Sequence, residues 1–377
     1  MLNRWGVKRN IRSMPNAFTL IELLVVVAII ALLVSMLLPS LNKAKDMAKA
    51  VKCSVNLRNV GSMMNTYTSL YDSYPISYAY AADEKGGYDM TKQVDGQHPY
   101  GYLHWSYMIA GEVNDKAFQC PSFPRNGCPR TNPGPDMKEW EMGQQDQNGA
   151  TRAAPNSIKD KQAPRMCYTM NAALVPRNKF RRSDETTQMG YNCARYNKFV
   201  KVEDVHDAGN TILGTEFNSD WKNTGLKIDT GSVKSLSHRP LNPFYHPGAG
   251  GWTHVYDADV EGFVYPDCAQ CPDMPNFGLK GLGELANLPV LGEGSDDGQG
   301  DMNAVGRHHP GSAGRTDGGV DLGGCANFLY CDGHVVRKHV LETQRKKEWG
   351  DKFYSLTFSG VADPRSPVRE TNDVMNY

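Results

Sequence analysis

Residues 16–39 read NAFTLIELLVVVAIIALLVSMLLP, and from Phe18 to Leu38 this run carries 21 residues with a single charge, Glu22. At ~1.5 Å of rise per residue such a helix is about as long as the ~30 Å hydrocarbon core of a bilayer is thick. The run is longer than the ~7 to 15 apolar residues of a secretory signal peptide, and no small-residue cleavage site follows it, so the helix is expected to stay in the mature chain. Glu22 is the exception within it. A carboxylate in hydrocarbon is costly and usually has both a partner and a task, whereas at headgroup level it is harmless.

The flanks extend the helix. Pro39 can kink a membrane helix without ending it, and beyond it Met47, Ala50, Cys53, Leu57, Val60, Met64, Tyr67 and Tyr71 recur at alternating spacings of three and four, a helical stripe. Lys43, Lys45, Lys49, Lys52 and Arg58 lie off that stripe, on what reads as a solvated face. One rod is therefore apolar all round over residues 18–38 and amphipathic over 39–72, as an element anchored in lipid and then packed on a sheet must be. Cys53 lies in the stripe and reads as a buried core thiol, with a disulfide to the body as the alternative. Before the run, Arg4, Lys8, Arg9 and Arg12 stand without an acid. Basic residues follow the run as closely as they precede it, so positive charge alone does not orient the helix.

The hexapeptide Phe18-Thr19-Leu20-Ile21-Glu22-Leu23 behind a short basic leader resembles the processing site of type IV pilins and type II secretion pseudopilins. The resemblance implies that prepilin peptidase cuts between Ala17 and Phe18, that the same enzyme methylates the new amino group of Phe18, and that Glu22 meets the Phe18 amine of a neighbouring subunit during assembly. A buried carboxylate facing a buried ammonium lets subunits dock in one register, and an unpaired one resists docking. One departure is Ala17, where Gly is usual before the cut. The resemblance also orients the chain: leader cytoplasmic, helix in the inner membrane as a single pass, and body in the periplasm or on an extracellular filament. The stretch Cys53–Pro75, with its Cys, Asn-Leu pair and Tyr-rich helix end before a Pro, is similar to the segment after the helix in a large group of pseudopilin-like proteins.

Composition bounds the remainder. The 37 Gly and 22 Pro among 377 residues describe a loop-rich body, read as one insertion-bearing domain over residues 73–377. Lys+Arg and Asp+Glu both number 41, so removing the leader, residues 1–17 with its four basic side chains, leaves 37 basic against 41 acidic, net −4. No concentrated basic patch points to a nucleic-acid partner. Nine cysteines suit a compartment that tolerates disulfides, and an odd count leaves at least one without an intramolecular partner. The spacing lets Cys120 and Cys128 close a surface loop. Residues 77–164 read as an irregular insertion with short helices over 102–110 and 137–142, and the runs 165–174 and 211–217 read as central strands.

Asp257, Asp259 and Glu261 alternate before Gly262, a composition that suits Ca²⁺ or merely a solvated turn. Cys268 and Cys271 form a CxxC flanked by prolines; no second CxxC exists to complete a zinc site. Toward the C-terminus, Asp332-Gly333 predicts a two-residue hairpin turn with φ > 0 at both positions, pairing 328–331 with 334–336. Together with His308-His309 it resembles the prepilin-processing-associated motif in which a His precedes Asp-Gly by nine residues. Here 22 residues separate His309 from Asp332, the surplus being Gly-rich, and the match falls on His308 or His309. His309, Asp332 and His334 have the chemistry to hold zinc or a non-haem iron, or to hydrogen-bond structurally. Residues 342–348 read as a short charged helix and 354–358 as a last strand.

The expectation is an α+β, pilin-like fold: a long N-terminal helical spine on a mainly antiparallel sheet with large irregular insertions. Its partners would be prepilin peptidase, other pilin or pseudopilin subunits and the inner membrane, with no nucleic acid, no cofactor and no enzymatic activity. The alternative is a membrane-tethered periplasmic metal-binding protein or hydrolase that uses the pilin-like front only for export. A minor, filament-tip subunit is a third reading, suggested by the large body.

Overall fold

The computed structural model of the chain describes residues 19–79, 101–111, 115–175, 199–228, 231–248, 251–254, 265, 279–285, 301–311, 316–317, 320–351 and 354. The chain divides into two compact units, Met1–Lys45 and Asp46–Tyr377. Helix α1 runs over Leu20–Tyr71 with Pro39 inside it. It is long and apolar enough to cross a membrane. Every side chain from Leu20 to Ala48 is exposed. Burial begins at Ala50 and recurs at Cys53, Leu57, Val60 and Met64, the centre of the expected stripe. Its ends depart from expectation, for Met47 and Tyr71 are exposed and Tyr67 is half-buried.

The second unit is mostly short strands. β1 (Tyr78–Ala79) pairs with β2 (Leu103–His104), after which comes α2 (Trp105–Ala110). β3 (Cys128–Pro129), β4 (Gln144–Gln145), β5 (Arg165–Met166), β6 (Tyr168–Met170), β7 (Ile212–Glu216), β8 (Gly225–Lys227) and β9 (Val233–Ser235) follow. Two hairpins, β10 (Tyr245–Gly248) with β11 (Gly251–His254) and β12 (Thr316–Asp317) with β13 (Val320–Asp321), are separated by α3 (Leu282–Leu285). The chain closes with β14 (Ala326–Tyr330), β15 (Val335–Lys338) and α4 (Val340–Arg345). The core sheet is four-stranded and antiparallel throughout, in the order β15-β14-β7-β6. Among the described strand pairs, β4–β9 alone is parallel.

β14 is buried at every position, which a strand with two covered faces requires. Alternation assigns the faces. Asn327 and Leu329 meet α1: the Asn327 side chain donates to Ala50 O (3.3 Å), and a Cβ added to Gly61 would sit 2.7 Å from Leu329 Cδ1. Phe328 and Tyr330 point the other way, Phe328 edge-on to Trp349 (6.1 Å) and Tyr330 donating its hydroxyl to Glu348 Oε2 (2.9 Å). The sheet is thus sandwiched between the second half of α1 and the segment around α4, an α+β arrangement as expected.

Several details differ from the sequence reading. The run 165–174 breaks into β5, which pairs with β3, and β6, which pairs with β7. The helix expected over 102–110 starts only at Trp105, because Leu103 and His104 are recruited as a strand; His104 then caps α2 by accepting from Ser106 N at Nδ1 (3.2 Å). Residues 137–142 supply one 3-10 turn, Met137–Glu139. The charged helix begins earlier than expected, at Val340, capped by His339. Tyr354 lies in a turn, and residues 355–358 fall outside the described residues.

The cysteine expectations are corrected. Cys53 is not a free core thiol: it is bonded to Cys120, Cα–Cα 4.9 Å. Cys120 therefore does not pair with Cys128, which stays a buried thiol on β3 with Thr224 Oγ1 donating to it (3.5 Å) and a pKa pushed up to about 12 by burial. The hairpin turn is corrected as well. Gly333 has φ +91°, but Asp332 is not among the described residues of positive φ. Gly333 N donates to Tyr330 O (2.9 Å) and Tyr330 N to His334 O (3.0 Å), so Cys331-Asp332-Gly333 form a three-residue loop, a tight turn followed by a glycine bulge. The cause is local: Asp332 Oδ1 accepts from His334 N (3.0 Å), an Asx turn formed without positive φ at the aspartate.

Candidate functional site

The first site is the start of α1. Thr19 O accepts the first helical bond from Leu23 N (3.2 Å), which makes Thr19 the N-cap. Thr19 Oγ1 accepts from Glu22 N (3.2 Å) while Glu22 Oε2 accepts from Thr19 N (2.9 Å) and from Thr19 Oγ1 (2.7 Å). This is a capping box, T-x-x-E, with the carboxylate at the positive end of the helix dipole. The pattern Thr19-Leu20-Ile21-Glu22 was present in the sequence as a signal for it. Glu22 remains exposed, so the box satisfies the helix end without shutting the carboxylate away. Ala17 and Phe18 lie outside the described residues.

The second site is the C-terminal motif, and the structure divides it. Asp332 and His334 form an exposed pair at the hairpin tip, His334 Nδ1 to Asp332 Oδ1 2.6 Å, with the imidazole stacked flat on Tyr330 (4.2 Å, 8°). His309 is elsewhere, fully buried, its backbone paired in both directions with Cys325 (3.0 and 2.9 Å). The Gly-rich surplus, 312–324, lies in the sequence between these two paired residues. His308 packs edge-on to Phe123 (4.9 Å) and has no partner for either ring nitrogen among the described residues. Burial lowers its pKa to about 4, Glu216 raising it and His309 lowering it further. Of the two histidines, His309 is the one engaged in polar chemistry.

Its partner is Glu216, at the end of β7, 3.0 Å from His309 Nε2, both side chains inaccessible to solvent. Asn327 donates its backbone N–H to Glu216 Oε2 (2.8 Å) and its side-chain amide to Oε1 (3.0 Å). Burial pushes the Glu216 carboxyl up, but the hydrogen bond from His309, the charges of His309 and His308 and the Asn327 N–H outweigh it, so its pKa lies below the ordinary value. The Cys53–Cys120 disulfide lies alongside, with Cys120 Sγ 4.0 Å from His309 Nε2. Cys53, Cys120, Glu216 and His309 present ligand-type atoms all within 4.8 Å of one another. Among the described residues, no such grouping of metal-ligating side chains includes Asp332 or His334, so the expected His309/Asp332/His334 set does not assemble. Asp257, Asp259 and Glu261, and the Cys268/Cys271 pair, lie outside the described residues.

Glu216 and Asn327 were not singled out from sequence. The available signal was a lone acid closing the otherwise uncharged run 211–216, TILGTE.

Residues 12–38 match the family model described as the prokaryotic N-terminal methylation motif. The matched stretch holds the last basic residue of the leader, the Ala17–Phe18 bond, the Thr19–Glu22 box and the apolar half of α1. The motif supports a type IV pilin-like protein, and its apolar helix is a candidate membrane anchor. No curated protein and no solved structure matches the chain.

Proposed function

We propose that the chain is a structural, non-enzymatic pilin or pseudopilin subunit, processed by prepilin peptidase between Ala17 and Phe18, methylated on Phe18, and built into a type II secretion pseudopilus or type IV pilus-like filament through α1. The observation that carries this reading is the methylation motif set on a helix whose first half exposes large apolar side chains on every side. In water such a surface is untenable; lipid before assembly and the helices of other subunits after it are the environments that cover it. Glu22 fits the role. Its capping hydrogen bonds come from its own chain, so it is tolerated before assembly, and its exposed side remains open to the Phe18 ammonium of a neighbour.

Mass spectrometry of the protein purified from its membrane is the test. The mature chain begins at methylated Phe18, and Glu22→Leu leaves processing intact while abolishing sedimentable filaments. A chain that still begins at Met1, or filaments that persist in Glu22→Leu, removes the proposal. The rival, a tethered hydrolase or metal-binding protein, cannot draw on His309, Asp332 and His334 as one ligand set, since those residues are not grouped.

A further inference from the structure

We propose that Cys53, Cys120, Glu216 and His309 are a redox-exclusive centre: oxidised, the two sulfurs form the disulfide, and reduced, the four side chains bind one zinc ion or a similar thiophilic divalent cation. This goes beyond the assembly role and does not depend on it.

The donor set is the first argument. Two thiolates, an imidazole and a carboxylate are all zinc ligands, and zinc holds S at about 2.3 Å and N or O at about 2.0 to 2.2 Å in a tetrahedron. Those bond lengths place neighbouring donors about 3.3 to 3.8 Å apart. His309 Nε2 is already 3.0 Å from Glu216 and 4.0 Å from Cys120 Sγ, and all four donors fall within 4.8 Å. Once the sulfur–sulfur bond is broken, side-chain rotations suffice to open the space a cation needs.

The surrounding shell is the second argument. His309 Nδ1 faces Ser122 Oγ (3.5 Å), a hydroxyl that can donate to Nδ1 while Nε2–H bonds Glu216 and can accept from Nδ1–H once a cation takes Nε2. The Glu216 carboxylate is fixed by both donors of Asn327, and the His309 backbone by Cys325. Cys120 is held too, its N–H donating to Cys167 Sγ (3.0 Å). Both sulfur ligands and both other donors are thus positioned from four separate parts of the chain, and every one is buried.

Charge is the third. Without the disulfide, the pocket would hold two thiols beside an ionised carboxylate in a dry interior; a dication that displaces the two thiol protons neutralises most of the resulting charge. Each chain has this choice once, since its thiols precede its disulfide. In the test the reductant is a phosphine: with one water it becomes the phosphine oxide, the sulfur–sulfur bond is cleaved, and two thiols form. Zinc then binds both sulfurs and releases their two protons.

The test uses the full-length chain in detergent with Cys268→Ser and Cys271→Ser, which removes the CxxC as a competing thiol pair. After reduction in denaturant and return to native buffer with zinc, the reduced protein is expected to retain about one metal per chain through gel filtration and the oxidised protein essentially none. His309→Ala is expected to weaken binding by at least about tenfold, the usual size of losing a well-held contribution at a metal site. Metal-free reduced protein, or equal metal in the oxidised form or in His309→Ala, overturns the proposal. A readout on the chain with all four ligands intact guards against misfolding of the variant. Zinc should slow alkylation of Cys53 and Cys120, mapped by mass spectrometry, and a chelator should restore it; equal labelling with and without zinc overturns the proposal as well.

Discussion

His309 and Glu216 meet where solvent does not reach, and the energetics of such a pair are asymmetric. Replacing both partners by apolar groups can cost little, but removing one leaves the other, and here also both donors of Asn327, without a counterpart. Glu216→Ala is therefore expected to lower stability by about 3 to 5 kcal/mol in urea unfolding. Acid acts through different groups in order. His104 is buried with its pKa lowered to about 3 from 6.5 by desolvation, and His308 likewise to about 4. As pH falls below 6.5 the unfolded chain takes up these protons and the folded chain does not, so stability declines from pH 6.5 toward 4. Asp160, raised to about 6 mainly by burial, opposes part of this, because its folded form takes up a proton before its unfolded form does. Glu216, lowered below 4.5, adds its loss only beneath that value. His104→Asn keeps an oxygen where Nδ1 now accepts from Ser106 N, and removes the titration. Melting temperatures across pH 4 to 6.5 should fall less steeply in that variant than in the parent, and an unchanged slope would clear His104 of the effect. His309 was legible in the sequence because it stands in a recognisable cluster. Glu216 was not, because its meaning comes from a partner 93 residues away.

At the scale of elements, α1 was the most legible part of the chain, since both its regimes are written in periodicity. The position of Gly61 was not, although the structure gives it a function. It lets Leu329 of β14 approach the helix axis, and any side chain there meets that leucine. Gly61→Val should cost about 1 to 3 kcal/mol by overpacking, read as a lower urea midpoint with unchanged slope. The hairpin β14–β15 was legible in place but not in turn type or register: a two-residue turn would set Cys331 opposite His334, whereas Leu329 pairs with Val335 and Tyr330 with His334, the Asx hydrogen bond favouring the longer loop. The disulfide was legible only as one alternative at Cys53. It joins residues 67 apart, a distance over which stripe periodicity says nothing. Cys53→Ser with Cys120→Ser removes a cross-link whose loop entropy is worth about 4 kcal/mol in the chain-entropy account, so the melting temperature should drop well outside error. No shift would mean the unfolded chain is little constrained by it.

For the molecule as a whole, the division after Lys45 suggests a cut. Burial starts at Ala50, so a chain beginning at Lys45 retains every buried helix residue and sheds the apolar surface. It is expected to be soluble and monomeric by size exclusion, with a melting temperature matching that of the full chain in detergent; aggregation would show that the first half of α1 supports the body. The region least legible in sequence is 125–165, read as an irregular insertion. It is cross-linked by charges that periodicity does not report: Arg130 and Lys159 on Glu139, and Arg125 and Arg165 on Glu141. Short strands β3 and β5 also lend Cys128 and Met166 to the core, single buried residues too few to show as a periodic pattern. The Cys53–Cys120 bond has a mechanical consequence. A filament under tension is loaded through its helices, and a pull on α1 arriving at Cys53 passes straight into the segment at Cys120, bypassing the chain between them. The 67 residue steps from one cysteine to the other are a locked reserve of contour: at about 3.6 Å each they amount to some 240 Å of extension that appears in a single-molecule pull only after reduction. A filament of such subunits would stretch little while oxidised and pay out slack once its sulfurs part.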